Sequence, residues 1–407
     1  MSPRHHRLPN GVHVVADPQP GVRSVAVGLH AFVGARSEPL AGLAHMAEHM
    51  VFKGAGGRDA RAIAEAMEDV GGQLNAWTGR DATAFHARVL EADLPLALDI
   101  IADIVRAPHL DADELERERG VILAELAEAR DSPEDAVWDD LFAAAFPGQP
   151  LGRPVLGTPE SVGAVSAADL RAWFADQFRP DALAVVASGA VDEDALLRAV
   201  EARWGDLPPG VPPAPPRSAF VGGTATDPRR LDGVHLAVAW PGLRAGDPDA
   251  RALQLWSQAA GEGMSSRLFQ TVREEAGLAY SVYSWMQGFA DTGLFGFALA
   301  AAPRDAARAE RLAHEALAGA AEDLTQRELD RAKAATRAGL LMGFESPAAR
   351  ADAHARSLQV HGRLQTTDEL LDEIAAPTLD AVRSVAARTL AGPRASATVG
   401  RTLARAA

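Results

Sequence analysis

The chain has 407 residues, of which 47% are hydrophobic, so it is long enough for two domains of roughly 200 residues each. Its 40 basic and 55 acidic residues give a formal charge of −15, which argues against a nucleic-acid partner and against a polybasic membrane patch. The absence of cysteine excludes disulfides and thiolate metal ligands, so any zinc site must use histidine and carboxylate groups.

The elements before residue 206 are predicted from hydrophobic periodicity and from helix-stop signals. Apolar patterns predict strands at residues 11–17, 22–33 and 182–188 and a strand pair at 74–89. Helical periodicity predicts helices at residues 39–52, 59–70, 94–105, 111–129, 167–177 and 193–204. Helices separate most strands and one pair forms a hairpin, which favours a mixed or antiparallel sheet over a doubly wound parallel one.

The densest proline run of the chain is DLPPGVPPAPP, at residues 206–216. Proline fixes φ and cannot join a helix or a central strand, so this run is predicted to be a stiff, extended connector. It leads to three predicted regions: a first domain at 1–206, a Pro-rich linker at 207–224 and a second domain at 225–407.

A similar order of elements returns after the connector. The patterns predict strands at residues 234–240, 279–287 and 293–301 and helices at 247–259, 266–275 and 306–318. Residues 75–105 and 281–318 each give a strand pair followed by an amphipathic helix, which indicates a weak internal duplication. We therefore expect an α+β fold of two structurally similar domains, each a mixed, mostly antiparallel sheet packed with helices.

Membrane and export signals are not evident in the sequence. Residues 1–14 lack the apolar core of a signal peptide, and no stretch approaches the ~18 consecutive apolar residues of a membrane-spanning helix. We expect a cytoplasmic protein without a membrane partner.

A pentapeptide in the predicted helix at 39–52 has the composition of a metal site. His45 and His49 lie four residues apart, so a helix places both imidazoles on one face, close enough to share one metal ion. Glu48 projects beside them. This order, H-x-x-E-H, inverts the H-E-x-x-H zincin signature. The alternative is a pair of ordinary surface or core histidines on a helix.

A catalytic zinc ion needs a third protein ligand and an open position for water. In the predicted helix at 111–129, Glu118 and Glu125 are seven residues apart and therefore lie two turns along nearly the same face. Val121 and Ile122 interrupt the polar pattern there, so this helix is predicted to be largely buried. For the other glutamates of the helix, a solvated position is the simpler interpretation.

Four blocks of the first half, in order, resemble the signatures of one family. They are GLAHMAEHMVFKG, LNAWTGRDATAFHA, ELERERGVILAEL and PLGRPVLG. Together they resemble the inverzincin metallopeptidases, which include pitrilysin, insulin-degrading enzyme and the mitochondrial and bacterial processing peptidases. In that family a glutamate 76 positions after the second histidine is the third zinc ligand, and this position is Glu125. The glutamate seven residues earlier, here Glu118, supports the site.

The block SSRLFQTVREEAGLAYSVYSW, at residues 265–285, resembles the same family. In catalytic members an arginine and a tyrosine seven apart reach the substrate from this half, and Arg273 and Tyr280 have that spacing. Taken singly, Tyr280 would more often be a core residue and Arg273 a surface one. The resemblance also implies that Asn75 and Ala76 bind substrate backbone along a strand edge.

The resemblance implies an endopeptidase acting on short or unfolded peptides, with one zinc ion per chain. Glu48 would be the general base, Tyr280 would donate a hydrogen bond to the oxyanion, and Arg273 would hold a neighbouring substrate carbonyl. Family members form a clam-shell from two units of this size. Heterodimers divide the zinc motif and the Arg/Tyr pair between subunits, whereas this chain carries both, so we expect a homodimer. A paralogous partner subunit is an alternative.

Two rival functions fit the same fold. A non-catalytic core subunit would share the architecture, but the presence of all four zinc-site residues counts against it. A dedicated maturase of one peptide precursor would use the same chemistry, and nothing in the sequence separates it from a general peptide-degrading enzyme.

Overall fold

The computed structural model describes residues 3–401. Its strands are β1 (Arg4–Arg7), β2 (His13–Pro18), β3 (Ser24–Ala31), β4 (Gly54–Ala55), β5 (Arg58–Asp59), β6 (Gln73–Thr78), β7 (Thr83–Leu90), β8 (Leu183–Gly189), β9 (Gly223–Asp227), β10 (Val234–Gly242), β11 (Ala279–Gly288), β12 (Gly293–Ala301) and β13 (Ala395–Val399). Its α-helices are α1 (Leu43–Val51), α2 (Ala60–Glu68), α3 (Leu94–Arg106), α4 (Ala112–Asp131), α5 (Pro133–Ala145), α6 (Pro159–Ala164), α7 (Ala167–Gln177), α8 (Glu193–Trp204), α9 (Ala250–Gly261), α10 (Ala306–Asp323), α11 (Gln326–Gly343), α12 (Pro347–His361), α13 (Thr367–Ala375) and α14 (Leu379–Leu390). A π-helical segment covers Phe269–Glu275.

The chain folds into two compact units, each built from three separate stretches of sequence. Of the described residues, the first unit contains residues 3–126, residues 154–216 and residues 342–366. The second unit contains residues 127–153, residues 217–341 and residues 367–401. Within the described residues, no helix combines the length and apolar character needed to cross a membrane.

Two segments distinguish these units from the domains predicted on either side of the connector. Residues 127–153, which include α5, belong to the second unit, where Leu141 is fully buried against strands of the second sheet. Residues 342–366, which include α12, belong to the first unit, where Ala355 packs against β8. Each unit therefore takes one helix from the other half of the sequence, because that helix covers a face of its sheet that would otherwise be exposed.

The first unit contains a six-stranded sheet in the order β1-β2-β8-β3-β7-β6. Neighbouring strands are antiparallel except for the parallel pair β2 and β8. Every residue of β8 is buried, because α12 covers one face of the sheet while α3 and α8 pack on the other. β6 is the last strand in this order, so one side of it forms an edge of the sheet.

The second unit contains a five-stranded sheet in the order β11-β12-β10-β13-β9, with β13 and β9 parallel and the other pairs antiparallel. Helix α5 packs on one face and α9, α10 and α14 pack on the other. The succession β11, β12, α10 repeats the succession β6, β7, α3 of the first unit, as the internal duplication predicts. The predicted α+β fold with two mixed, mostly antiparallel sheets is confirmed.

Candidate metal centre

Helix α1, which carries both histidines, begins at a sharp turn. Gly42 has a φ of 84°, and a Cβ there would lie 2.8 Å from the carbonyl oxygen of Leu156, so only glycine fits. The buried carboxylate of Glu38 accepts hydrogen bonds from the backbone N–H groups of Gly42 and Ala44, both at 2.8 Å. These two donors would otherwise lack partners at the start of the helix.

The two histidines of α1 lie one turn apart, with ring centroids separated by 4.6 Å. His49 donates from Nδ1 to Glu118 Oε2 at 2.9 Å, which leaves Nε2 as the nitrogen available to a metal. Burial, with a further contribution from His49, lowers the pKa of His45 to about 4. Because neutral imidazole is the metal-binding form, His45 is ready to bind a cation at neutral pH.

Glu125 on α4 completes a three-residue cluster. Its Oε2 lies 3.6 Å from His49 Nε2 and 4.0 Å from His45 Nε2. One potential ligand atom from each of the three residues lies within 4.8 Å of the other two. Among residues 3–401, no other group of three such side chains was found with this geometry.

Helix α4 is less buried than its sequence pattern predicts. Its buried residues are Leu115, Glu118 and Ile122, whereas Val121 is 44% exposed. The prediction of a largely buried helix is therefore wrong, because Val121 faces solvent and only its neighbour Ile122 faces the core. Glu118 lies on the buried side, where its Oε1 is 2.6 Å from Lys53 Nζ.

Glu48 extends from α1 toward the end of β6. Thr78 Oγ1 donates a hydrogen bond to Glu48 Oε2, with an oxygen–oxygen distance of 2.5 Å. Burial raises the pKa of Glu48, and the hydrogen bond from Thr78 and the nearby His49 partly oppose this rise. A carboxylate with a raised pKa accepts a proton more readily than an ordinary one, which suits a general base.

The donor set fits zinc. Two imidazole nitrogens and one carboxylate are a known ligand set of catalytic zinc, which keeps a fourth position open. With zinc–ligand bonds of about 2.0–2.1 Å, tetrahedral ligands lie roughly 3.3 Å apart. The separations of 3.6 and 4.0 Å from Glu125 to the two histidines are close to this value. His45 Nδ1 is buried and makes no hydrogen bond within residues 3–401, so packing orients this ring.

Strand β6 places an unpaired backbone edge next to Glu48. Asn75 and Trp77 alternate on the exposed face of the strand, while Ala76 and Thr78 are half-buried. Asn75 Oδ1 accepts a hydrogen bond from the backbone N–H of Ala76 at 2.9 Å. The other outward backbone groups of an edge strand have no strand partner, so an extended peptide can pair with β6.

In the second unit, Arg273 and Tyr280 contact each other. Arg273 Nη1 donates to the carbonyl oxygen of Tyr280 at 2.8 Å, and its guanidinium carbon lies 4.8 Å from the centre of the tyrosine ring. The ring of Phe269 lies on the guanidinium as well, at 4.6 Å. Tyr280 is 83% exposed, so it is a surface residue.

Comparison with known proteins identifies the family. Residues 13–159 match the family described as insulinase (peptidase family M16), and residues 164–336 match the one described as peptidase M16 inactive domain. An "uncharacterized zinc protease" of Mycobacterium tuberculosis is 38% identical over 98% of this chain and 93% of its own length. The beta subunit of the mitochondrial-processing peptidase of Lentinula edodes is 31% identical over 94% of this chain and 86% of its own. This chain belongs to peptidase family M16.

Solved structures share the fold of this M16 chain. A peptidase M16 inactive domain from Pseudomonas fluorescens aligns with a TM-score of 0.91 and 22% identity, covering 100% of this chain and 99% of that one. A protease from Helicobacter pylori aligns with a TM-score of 0.90 and 23% identity, covering 98% and 100%. At these identities the likeness establishes the fold alone.

The structure brings together most of the residues singled out in the sequence. The first unit gathers His45, His49, Glu48, Glu118 and Glu125, with Asn75 and Ala76 on the adjacent strand. Arg273 and Tyr280 form a separate pair in the second unit.

Three supporting residues were not predicted from the sequence. Thr78 holds Glu48, Lys53 holds Glu118, and Glu38 caps α1. Lys53 is one of only two lysines, which drew attention to its block without indicating a partner. A carboxylate four residues before Gly42 was the available signal for Glu38, because acidic side chains are favoured at helix starts.

Proposed function

We propose that this M16 chain is a zinc-dependent endopeptidase that hydrolyses bonds in short or unfolded peptides. The observation that carries the proposal is the convergence of His45, His49 and Glu125 within 4.8 Å, with Glu48 on the same helix as both histidines. The zinc proteases among its relatives support zinc as the cofactor. The single cluster of potential ligands among residues 3–401 supports the proposal of one ion per chain.

In the proposed mechanism, some residues of the metal centre hold zinc or orient other side chains, and Glu48 transfers the proton. When bound, zinc supplies Lewis acidity, which lowers the pKa of a water molecule to about 7 and polarises the peptide carbonyl. Glu48 accepts the proton of that water on its carboxylate and then delivers it to the leaving amine nitrogen. Thr78 keeps the Glu48 carboxylate in one orientation, and Glu118 does the same for the imidazole of His49.

The substrate binds as an additional strand along β6. Its backbone pairs with the edge that includes Asn75 and Ala76, close to Thr78 and therefore to Glu48. Pairing of this kind requires an extended chain, so folded proteins are poor substrates. Tyr280 donates a hydrogen bond to the developing oxyanion, and Arg273 holds a neighbouring carbonyl of the substrate.

The proposal includes a homodimer and a cytoplasmic location. Both the histidine cluster and the pair of Arg273 and Tyr280 occur in this one chain, so two copies supply a complete set without a second gene product. Light scattering of the purified chain tests the dimer, and fractionation of the source cells tests the location.

The deciding experiment compares the purified chain with Glu48→Gln for zinc content and for hydrolysis of a quenched peptide library. We expect about one zinc ion per chain in both proteins, and cleavage reduced by about 10²–10⁴-fold in the variant, since a general base contributes that much. Absence of zinc from the wild-type protein would contradict the proposal and favour a non-catalytic subunit, whereas zinc-loaded wild-type protein that cleaves no library peptide would favour a narrow substrate or a missing partner subunit.

A further inference from the structure

A cleft of about 520 Å³ opens on the first unit, and none of its lining residues belongs to the candidate metal centre. It lies between the end of α3 with the loop that follows, helix α7, and the end of α8 with the start of the connector. Its volume falls within the range of small-molecule sites, about 300–1,000 Å³. Nothing in the proposed peptidase chemistry uses this cleft.

One wall of the cleft is aromatic. The rings of Phe174 in α7 and of Phe178, directly after this helix, have centroids 4.9 Å apart, and the ring centroid of Phe178 lies 6.2 Å from that of the core residue Phe85. Trp204 and Leu110 also line the cleft, and both belong to the hydrophobic core of the unit. The apolar wall is therefore a preformed part of the core surface, which suits an apolar ligand body.

The charged groups of the cleft are all cationic. Arg106, Arg171 and Arg179 line it, and no carboxylate does, although the whole chain carries a formal charge of −15. Arg106 is already neutralised by Asp206, at 2.8 Å. Arg179 has its nearest carboxylate, that of Asp176, at 3.9 Å, and Arg171 makes no ion pair or side-chain hydrogen bond within residues 3–401.

We propose that this cleft binds an apolar carboxylate, with the acid group between Arg171 and Arg179 and the apolar body against Phe174 and Phe178. The planar guanidinium fork matches a carboxylate, and two arginines without a close partner supply the charge. A polyanion without an apolar part would leave the aromatic wall in water. Two kinds of ligand are apolar carboxylates of this type. One is a free aryl or branched-chain acid, and the other is the C-terminus of a peptide that ends in a large apolar residue.

Calorimetric titration of the Glu48→Gln chain tests the proposal, because cleavage of a peptide probe is expected to be strongly reduced in this background. The probes are 4-phenylbutyrate and N-acetyl-leucyl-phenylalanine, each compared with its uncharged amide. We expect saturable binding of at least one acid with a Kd at or below about 1 mM, and about tenfold weaker binding of its amide. Tighter binding of the peptide acid assigns the ligand to peptide termini, and tighter binding of phenylbutyrate assigns it to free acids.

Variants locate the bound acid. The double variant Arg171→Gln and Arg179→Gln should bind the acid about tenfold more weakly and bind the amide as before. Phe174→Ala should bind both the acid and the amide more weakly. Arg198→Gln, on the exposed side of α8, is the matched control and should change neither. Phe174 is only half-buried, so its replacement leaves the core intact.

Three results would overturn the proposal. The first is equal affinity for the acids and their amides. The second is acid binding that the double arginine variant leaves unchanged and that disappears when zinc is removed, since that acid occupies the metal centre. The third is the absence of saturable binding for both acids at about 1 mM.

Discussion

Glu118 connects the metal centre to the body of the first unit. Its two carboxylate oxygens accept from His49 Nδ1 at 2.9 Å and from Lys53 Nζ at 2.6 Å. In Glu118→Gln one of these oxygens becomes an NH₂ group, which cannot accept from either donor. Because such partners hold a ligating imidazole in position, we expect zinc affinity to fall by about 10–100-fold in a competition titration with a chromogenic chelator.

The matched control for Glu118→Gln is Glu116→Gln on the same helix. Glu116 is exposed and pairs with Arg119 on the helix surface, so its replacement should leave zinc affinity unchanged. Equal loss of affinity in both variants would mean that the net charge of α4 attracts zinc, and the specific role of Glu118 would then be wrong.

His30 makes the stability of the chain depend on pH. It lies in β3, and burial, with His86 nearby, lowers its pKa to about 4. Between pH 6.5 and 4 the unfolded chain therefore binds a proton that the folded chain does not, so stability falls as the pH falls through this window. His30→Gln should flatten this dependence by about 1.4 kcal/mol per pH unit in urea unfolding.

The exposed His361 at the end of α12 provides the comparison for His30. His361→Gln should leave the slope of stability against pH as in the wild type. Parallel plots of stability against pH for His30→Gln and the wild type would mean that His30 takes up its proton equally in the folded and unfolded chains. The lowered pKa of His30 would then be wrong.

Site residues that are close together in the sequence could be predicted from local geometry, whereas distant ones could not. His45, Glu48 and His49 lie within one helical turn, so helix geometry alone places them together. Glu125 and Glu118 required a family resemblance, because residue spacing does not determine which face of a second helix meets the first. Thr78 could not be assigned to Glu48, because contact between a strand and a helix depends on tertiary packing that local patterns do not record.

At the scale of elements, α12 is attached to the first sheet by a buried ion pair. Asp17 of β2 accepts two hydrogen bonds from Arg350 of α12, both at 2.6 Å, and His354 Nε2 lies 3.2 Å away. Burial acts to raise the pKa of Asp17, but hydrogen bonds from Arg350, His354 and Ser188 outweigh burial and hold the pKa well below its usual range. The contribution to stability is present above about pH 4 and is lost as the pH falls further.

Asp17→Asn should therefore weaken the attachment of α12. The variant leaves the charge of Arg350 partly buried without a counter-ion, which typically costs about 3–5 kcal/mol. Urea unfolding gives the loss of stability, and hydrogen exchange shows whether α12 loses protection before the sheet does. Glu65→Gln, which breaks the exposed pair with Arg61, should cost less than about 1 kcal/mol, and an equal effect of both variants would contradict a special role for Asp17.

Elements with clear periodicity and flanking signals were predicted closely. The predicted helices at 167–177 and 193–204 have the bounds of α7 and α8, because Ser166 and Asp192 cap them and apolar residues recur at helical spacing. Helix α5 was missed. Its interior is largely apolar and gives a weak amphipathic signal, although Ser132 followed by Pro133 marks its start.

At the scale of the whole molecule, each half of the sequence supplies one helix to the unit built mainly by the other half. Local patterns could not show this exchange, because α12 covers a strand about 160 residues earlier in the chain. The proline run at 206–216 marks the passage between the two halves correctly, yet it does not mark the complete boundary of either unit. Deleting residues 342–366 would therefore remove part of the first unit and not the second.

The proposed homodimer makes a prediction about how two chains share one site. The family resemblance implies that heterodimeric members divide the zinc motif and the Arg/Tyr pair between subunits, and we therefore propose that in a homodimer each zinc site uses Tyr280 of the other copy. Glu48→Gln and Tyr280→Phe chains should each be inactive alone. Co-expressed with different tags, they form mixed dimers in which the intact Glu48 of one chain meets the intact Tyr280 of the other. Random pairing makes about half of the dimers mixed, each with one working site of two, so activity should return to about a quarter of the wild-type value in the peptide assay.

If Glu48 and Tyr280 act within a single chain, every mixed dimer has two defective sites and no activity returns. That result would contradict sharing between subunits while leaving the zinc chemistry intact.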